Sequence, residues 1–298
     1  RHLLTVFRRG CVCHGYGITR FWREMLTMKR FVFYGALVGA LTLSVGPASA
    51  DCGDDFKRSV KTSDGCFAID FMQNVDPAGN PLVVFIHGDG GPIRRSTEAY
   101  REDYADQFSL LRNAGINVIV VLRPGHRLPD WSQTSGYPTT KNDNYTGGII
   151  AGISEVMGRL RQHYKPSKMV LLGHSGGAMI SGIIAGRHPG VADAAVLVAW
   201  GCNTCEWRQW RIDSKGRRGQ WHDSLSAHDF LDGIPKGMRV IAITGSDDSN
   251  TKPSFAKACT AQMKSLGLNI DMRQVDGFGH SGMFAASDVT DAVIEASK

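Results

Sequence analysis

The sequence has no internal repeat, no low-complexity segment and no apolar run long enough to span a bilayer comfortably. The lack of repeats argues against a solenoid or propeller, and the lack of low-complexity tracts argues against a long disordered region. The apolar run at Phe31–Val45 falls short of the roughly 20 residues of a transmembrane helix. These absences leave an ordinary globular protein as the first expectation.

Residues 1–27 are basic and without pattern, and we interpret them as an over-extended leader. Residues 28–50 combine a charged start, a short apolar core and an Ala-x-Ala end, the three parts of a secretory signal peptide. We therefore expect export to the periplasm or beyond, with cleavage after Ala50. A membrane anchor is the alternative, and a lipoprotein signal is disfavoured because Asp51 precedes Cys52.

Little net charge remains once this leader is set aside. Of the 34 Lys and Arg residues seven lie before residue 51, as does one of the 28 Asp and Glu residues, which leaves 27 of each sign. A neutral mature chain gives no sign of a nucleic-acid or membrane partner. Residues 51–298 are enough for a single α/β domain with one sizeable core.

Five cysteines lie in the mature part. In an oxidising compartment, the pairs that are near in sequence are Cys52–Cys66 and Cys202–Cys205. This pairing would leave Cys259 over.

Apolar, β-branched runs alternate with longer amphipathic stretches. Strands are predicted at 81–88, 116–125, 168–175, 194–201, 238–245 and 268–277, and helices near 97–114, 145–164, 176–188 and 252–267. The runs are continuously apolar, as in parallel strands buried on both faces. Their alternation with helices predicts a doubly wound α/β sheet.

The tetrapeptide GHSG occurs twice, and the first copy completes Gly-x-Ser-x-Gly at Gly173–Gly177. It stands between a predicted strand and a helix rich in small residues. On such a corner the serine is held above the sheet edge, and flanking glycines avoid clashes with the neighbouring elements. Ser175 is therefore the candidate nucleophile, the alternative being a packing turn. Adjacent side chains point apart on a tight turn, so we expect His174 to pack beside it.

The second copy follows the last predicted strand and lacks the final glycine of the motif. Its His280 is the candidate general base, because an imidazole exchanges protons near neutral pH. Ser281 is expected to cap the helix that follows.

An acid that orients the histidine is expected between the two copies. Asp247 and Asp248 both follow the strand predicted at 238–245, in the order Ser, Asp, His. The Gly-x-x-Asp spacing favours Asp248, with Asp247 as the alternative.

Two backbone amides would complete a site for acyl transfer. The turn after the strand at 81–88 supplies the N–H of Asp89, with that of Gly90 as the next choice, and the turn that carries Ser175 supplies the N–H of Gly176. A simple β-turn at this position is the alternative.

With these pieces in order, residues 81–298 resemble the α/β-hydrolase superfamily. The segments YKPSKMVLLGHSGGA and GSDDSNTKPSFAKACTAQMKSLGLNIDMRQVDGFGH are similar to the prolyl-oligopeptidase-like and dienelactone-hydrolase-like members. The resemblance implies an α/β-hydrolase fold with a mostly parallel sheet of about eight strands and a triad of Ser175, Asp248 and His280. The tyrosine that prolyl oligopeptidases usually carry at the elbow is missing, which argues against oligopeptidase specificity but not against hydrolysis.

Residues 202–235 fall where this family places cap insertions. Trp207, Trp210 and Trp221 would line a substrate pocket there or else pack the cap onto the sheet. The arrangement Cys202-x-x-Cys205…His222…His228 also resembles a zinc site, but exported thiols tend to oxidise and the gap is long. We expect no metal.

The function predicted from the sequence is that of an exported serine hydrolase that cleaves a small carboxylic ester and needs no cofactor. The alternatives are a serine peptidase acting on short peptides and a catalytically silent binding module on the same fold.

Overall fold

The structure is a computed structural model. The residues it describes are 52–72, 76–90, 102, 104–128, 133–139 and 142–298. The leader predicted at residues 1–27 and the signal peptide predicted at 28–50 lie outside the described residues.

The described residues form one sheet of eight strands. In chain order the strands are β1 (Ser59–Lys61), β2 (Cys66–Phe71), β3 (Leu82–Ile86), β4 (Asn117–Val121), β5 (Met169–His174), β6 (Ala194–Val198), β7 (Arg239–Gly245) and β8 (Ile270–Val275). Their spatial order is β1-β2-β4-β3-β5-β6-β7-β8. The pairings β1–β2 and β2–β4 are antiparallel, and the remaining neighbours are parallel.

Six α-helices and two short 3₁₀ helices connect these strands in the described part of the chain. The α-helices are α1 (Ala105–Asn113), α2 (Gly147–Tyr164), α3 (Gly176–Arg187), α4 (Thr204–Lys215), α5 (Pro253–Ser265) and α6 (Ser287–Ala296). The 3₁₀ helices span Ala227–Gly233 and Met283–Ala285. None of the described helices is long and apolar enough to cross a membrane.

The sheet separates two hydrophobic cores, and β3 shows why its central strands are largely apolar in sequence. Leu82, Val84 and Ile86 pack into the core that also holds residues of α2, α3 and α5. Val83 and Phe85 point the other way, into the core shared with α1 and α6. Since both faces of the strand are buried, no position tolerates a polar side chain. The predicted doubly wound sheet of about eight strands is confirmed.

The sequence predicted six of the strands but not β1 and β2, the short antiparallel pair at one edge. It also missed α4, which lies in the cap segment (residues 202–235). Helix α4 carries little apolar surface, so it has no clear helical periodicity; its start is fixed instead by Asn203, whose side chain accepts a hydrogen bond of 3.1 Å from the Glu206 N–H.

One of the two predicted disulfides is wrong. Cys52–Cys66 is present, with Cα atoms 5.7 Å apart. Cys202, however, pairs with Cys259 on α5, at a Cα separation of 6.4 Å, and Cys205 takes part in neither disulfide. Cys202 precedes α4 and is fully buried against the buried Cys259, whereas Cys205 lies in the first turn of α4. Contact across the core decides the pairing, and nearness in sequence does not.

Ser281 does not cap a helix as predicted. It is exposed, and Gly282 and Ala286 occupy the N-cap positions of the 3₁₀ helix and of α6.

Candidate active site

Ser175 stands on the turn between β5 and α3, at backbone angles of φ 56° and ψ −117°. A positive φ is strained for a residue with a side chain. The two motif glycines make the turn possible: a Cβ on Gly173 would lie 2.5 Å from the Gly177 carbonyl oxygen, and one on Gly177 only 1.8 Å from the Ile86 carbonyl oxygen. The sequence pattern Gly-x-Ser-x-Gly is therefore required by the close approach of β3, β5 and α3.

The structure brings together the serine, histidine and aspartate singled out in the sequence. Ser175 Oγ lies 2.9 Å from His280 Nε2, and His280 Nδ1 lies 2.9 Å from Asp248 Oδ2. The Asp248 side chain is fully buried, while 18% of the His280 side chain is exposed. With Nδ1–H donating to the carboxylate, Nε2 is left as an acceptor for the serine proton.

Asp248 is held by more than the histidine. Its Oδ1 accepts backbone hydrogen bonds of 2.8 Å from Asn250 and Thr251, and its Oδ2 accepts one of 2.8 Å from the Thr251 hydroxyl. Burial acts to raise the pKa of Asp248, but the hydrogen bond and charge of His280, together with the Thr251 bonds, outweigh it and lower the pKa. Asp247 is exposed and accepts from the Ser246 hydroxyl.

His174 packs beside the turn, as expected, but it also makes a specific contact. Its ring lies 5.4 Å from the ring of His280, and its Nε2 donates to the His280 backbone carbonyl oxygen at 3.2 Å. Burial, followed by the neighbouring His280, lowers the pKa of His174 to about 4. His174 is therefore a neutral donor at physiological pH.

The loop after β3 lies directly against the serine turn. A Cβ on Gly88 would come 3.2 Å from the Ser175 Cβ, and one on Gly176 would come 2.1 Å from Asp89 Oδ1. Among the described residues, neither the Asp89 N–H nor the Gly176 N–H has a hydrogen-bond acceptor. The two predicted oxyanion-binding amides thus lie on adjacent segments beside Ser175, with their N–H groups available.

The Asp89 side chain has a role that the sequence did not suggest. Arg123 NH1 pairs with Asp89 Oδ1 at 2.9 Å, and the Tyr145 hydroxyl donates to both carboxylate oxygens at 3.0 and 2.9 Å. Arg123 is fully buried and also donates to the carbonyl of His87 at 3.1 Å and to Asn144 at 2.6 Å. This network fixes the loop that carries the Asp89 N–H. The one feature of the sequence that could have pointed to this role is the position of Arg123 just after an apolar strand.

A cavity of about 700 Å³ opens over Ser175 and His280. Trp207 and Trp221 of the cap segment line it and are also part of the hydrophobic core, with their ring centroids 5.3 Å apart. Trp210 does not line the cavity; it packs on Phe255, with ring centroids 5.7 Å apart, because α4 turns that side chain toward α5.

The possible zinc motif is not assembled. Cys202 is bonded to Cys259, and within the described residues no group of three or more His, Cys, Asp or Glu side chains is placed to hold a metal ion.

An eight-stranded, mostly parallel sheet with a serine on a strained strand–helix turn, together with a histidine and an acid from the loops after later strands, defines the α/β-hydrolase fold. The chain belongs to the alpha/beta hydrolase family, whose model matches residues 83–248. The matched segment contains the Ser175 turn and ends at Asp248.

Among curated proteins no sequence matches the chain. Solved structures similar to it include Est1E from Butyrivibrio proteoclasticus with ferulic acid bound (16% identity, TM-score 0.61, covering 80% of this chain and 96% of that one). An esterase, Pf2001, from Pyrococcus furiosus is also similar (16% identity, TM-score 0.59, 80% and 89%). So is a lipase in its open form (16% identity, TM-score 0.59, 81% and 97%). At these identities the likeness concerns the fold.

Proposed function

We propose that this hydrolase is a serine esterase that cleaves a carboxylic ester through Ser175, His280 and Asp248. The observation that carries the proposal is the continuous chain of hydrogen bonds, 2.9 Å from Ser175 to His280 and 2.9 Å from His280 to Asp248. The fold and the Ser175 backbone geometry support it, since the strain is of the kind found at functional sites.

The reaction would proceed by acyl transfer. His280 Nε2 takes the proton of Ser175 as Oγ attacks the ester carbonyl carbon, while Asp248 stabilises the imidazolium through Nδ1–H. The oxyanion that forms would accept hydrogen bonds from the N–H groups of Asp89 and Gly176. His280 then gives its proton to the departing alcohol, and a water activated by the same histidine releases the acid and restores Ser175.

The choice of an ester is supported by the site's openness. The cavity above Ser175 is lined by a short cap segment rather than by a second domain, which suits a small substrate. The esterases and the lipase among the similar structures are consistent with this choice.

We also propose that the protein is exported. Disulfides persist in oxidising compartments, and both Cys52–Cys66 and Cys202–Cys259 support this assignment. N-terminal sequencing of the protein recovered from a periplasmic extract tests it, with Asp51 as the expected first residue.

A fluorophosphonate probe tests the nucleophile, because it labels activated serines without regard to the substrate. Labelling of the wild type that is lost in Ser175→Ala supports the proposal. Labelling that persists in Ser175→Ala would show that another serine is the activated one and would contradict the assignment of Ser175, whereas a folded wild type that is not labelled at all would favour a silent binding module. Comparing p-nitrophenyl esters with aminoacyl arylamides separates the esterase from a peptidase.

A further inference from the structure

Four arginines of the cap segment line the cavity that contains Ser175 and His280: Arg208, Arg211, Arg217 and Arg218. The first two lie on α4, and the other two lie on the turn that follows it. Such a concentration of one charge in a small cavity is not needed to hold a neutral ester.

Arg208 and Arg211 are fixed in place by aromatic rings and by hydrogen bonds. The Arg208 guanidinium lies 5.2 Å from the Trp221 ring and donates through Nε to the Gly219 carbonyl at 2.9 Å. The Arg211 guanidinium lies 5.1 Å from the Trp207 ring and donates through NH1 to Asn250. Stacked guanidinium groups lose little freedom on binding a ligand, so this arrangement is preorganised.

Donors remain for a ligand after these contacts are made. A guanidinium has five N–H groups, and the internal contacts use only some of them. The Nε of Arg211 is buried with no hydrogen-bond acceptor within the described residues. A buried donor without a partner is costly, so the Arg211 guanidinium is short of acceptors, and a ligand could supply one to the part of the group that lines the cavity.

The two carboxylates that line the same cavity form their hydrogen bonds with other groups, although their charges still act on Arg208 and Arg211. Asp89 is paired with Arg123 and accepts from Tyr145. Asp143 accepts backbone hydrogen bonds from residues 222–224, at 2.8 to 3.1 Å. Among the described residues, none of the four cap arginines forms an ion pair with a carboxylate.

The arginines also crowd one another. Burial, and then the charge of Arg217 followed by that of Arg208, lowers the pKa of Arg211. The same two causes, burial and then Arg217, lower the pKa of Arg208. Like charges that line one cavity repel, and a bound anion would relieve the repulsion.

We propose that the substrate carries an anionic group, a carboxylate or a phosphate, which the cap arginines bind while Ser175 attacks the ester. Both groups offer oxygens that match the fork of a guanidinium. Trp207 and Trp221 would contact the apolar part of the molecule between the anion and the ester. The proposal rests on the proposed esterase function and adds the class of substrate to it.

The test compares three esters that all release a nitrophenol, after subtraction of the rate without enzyme: p-nitrophenyl butyrate, which is neutral, mono-p-nitrophenyl adipate, with a carboxylate on the acyl part, and 3-carboxy-4-nitrophenyl butyrate, with one on the alcohol part. At least one acidic ester should exceed the neutral ester in kcat/KM by about tenfold, the effect of one good charge-assisted contact. The ratio of kcat/KM for the acidic ester to that for the neutral ester should decline as NaCl is raised to 1 M, because the Debye length then shortens to about 3 Å.

Variants then assign the preference to the arginines. Arg217→Glu and Arg218→Glu reverse charge at exposed positions and should abolish the preference for the acidic ester, whereas Arg217→Lys and Arg218→Lys should keep most of it. Arg112→Glu is the matched control, because Arg112 is an exposed arginine on α1 outside the cavity lining. This variant should keep the wild-type kcat/KM for the acidic and for the neutral esters. Inhibition of butyrate hydrolysis by succinate or by inorganic phosphate shows which anion the site prefers.

The outcomes separate this inference from the proposed function. If the neutral ester is hydrolysed as well as both acidic ones, or if the preference survives both charge reversals, the inference is overturned and the esterase stands. If the folded wild type hydrolyses none of the esters and takes up no fluorophosphonate, the esterase proposal is overturned, and this inference with it.

Discussion

The Nε2 of His174 lies 3.2 Å from the backbone carbonyl oxygen of His280. These residues belong to the two copies of GHSG, so the first copy supplies Ser175 and also holds the loop on which the second copy places His280. The buried Phe284 also packs on His174, with ring centroids 6.0 Å apart in an edge-to-face contact. His174 is thus a positioning residue for the proposed base, a role beyond the packing that the sequence suggested.

Replacing Asp248 by Asn should reduce kcat by about 10⁴-fold, because the amide no longer holds the correct tautomer of His280 or stabilises its positive charge. The matched change, Asp247→Asn, should leave kcat within about twofold, since Asp247 is exposed and its hydrogen bonds within the described residues join it to Ser246 and Phe278. Steady-state hydrolysis of an aryl ester measures both. A larger loss in Asp247→Asn would move the assignment of the acid by one residue.

The Thr251 hydroxyl should help to hold Asp248 and His280 in the geometry that the reaction needs. Its hydroxyl oxygen lies 2.8 Å from Asp248 Oδ2 and 3.1 Å from His280 Nδ1, and the residue is buried. Thr251→Val has the same shape without the hydroxyl and should lower kcat about tenfold, the low end for a hydrogen bond to a charged group, with KM little changed. Thr251→Ser should restore most of kcat. A Thr251→Ser variant as slow as Thr251→Val would show that packing of the methyl group matters, and not the hydroxyl.

The parts of the site that are local in sequence could be predicted. The Ser175 turn is determined by two glycines within five residues of one another, because any Cβ at Gly173 or Gly177 would meet neighbouring backbone. Asp248 and His280 follow the neighbouring parallel strands β7 and β8, and such strands end at one edge of the sheet, which brings both residues to the same edge as the serine.

The parts that depend on contacts between distant segments could not be predicted. Arg123 reaches Asp89 across 34 residues because both follow the paired strands β4 and β3, and Cys202 reaches Cys259 across 57 because both are buried in one core. The cap segment was recognised by its tryptophans, but only the fold shows that Trp210 faces α5 while the arginines face the cavity.

His174 should make the protein sensitive to mild acid. Its pKa is about 4 in the folded chain and near the ordinary 6.5 when unfolded. Above pH 6.5 the imidazole is neutral in the folded and in the unfolded chain, so it adds nothing to the pH dependence of the free energy of unfolding. As the pH falls from 6.5 to 4 the unfolded chain binds a proton that the folded chain does not, so the free energy of unfolding should fall by up to about 3 kcal/mol.

Urea unfolding at pH 7, 6 and 5 measures this loss, and His174→Gln isolates its source. The glutamine amide keeps a donor for the His280 carbonyl but does not titrate, so the decline between pH 7 and pH 5 should become shallower by roughly 1 kcal/mol per pH unit. Burial also lowers the pKa of His87 strongly, so some decline should remain. An unchanged decline in His174→Gln would show that His174 is not the group responsible.

The Cys202–Cys259 disulfide should be a major source of stability, because it closes a 57-residue loop and both cysteines are buried. Replacing both by serine should lower the free energy of unfolding by about 4 kcal/mol, the cost of releasing a loop of this length in the unfolded chain. Cys205→Ser is the matched control, since Cys205 takes part in neither disulfide, and it should change stability by less than about 0.5 kcal/mol. Non-reducing peptide mapping identifies the bond directly. The opposite result would be a peptide map that joins Cys202 to Cys205, together with a Cys205→Ser variant as destabilised as the variant that lacks both Cys202 and Cys259. That result would show that the cysteines near in sequence are paired, and it would contradict the packing of α4 against α5.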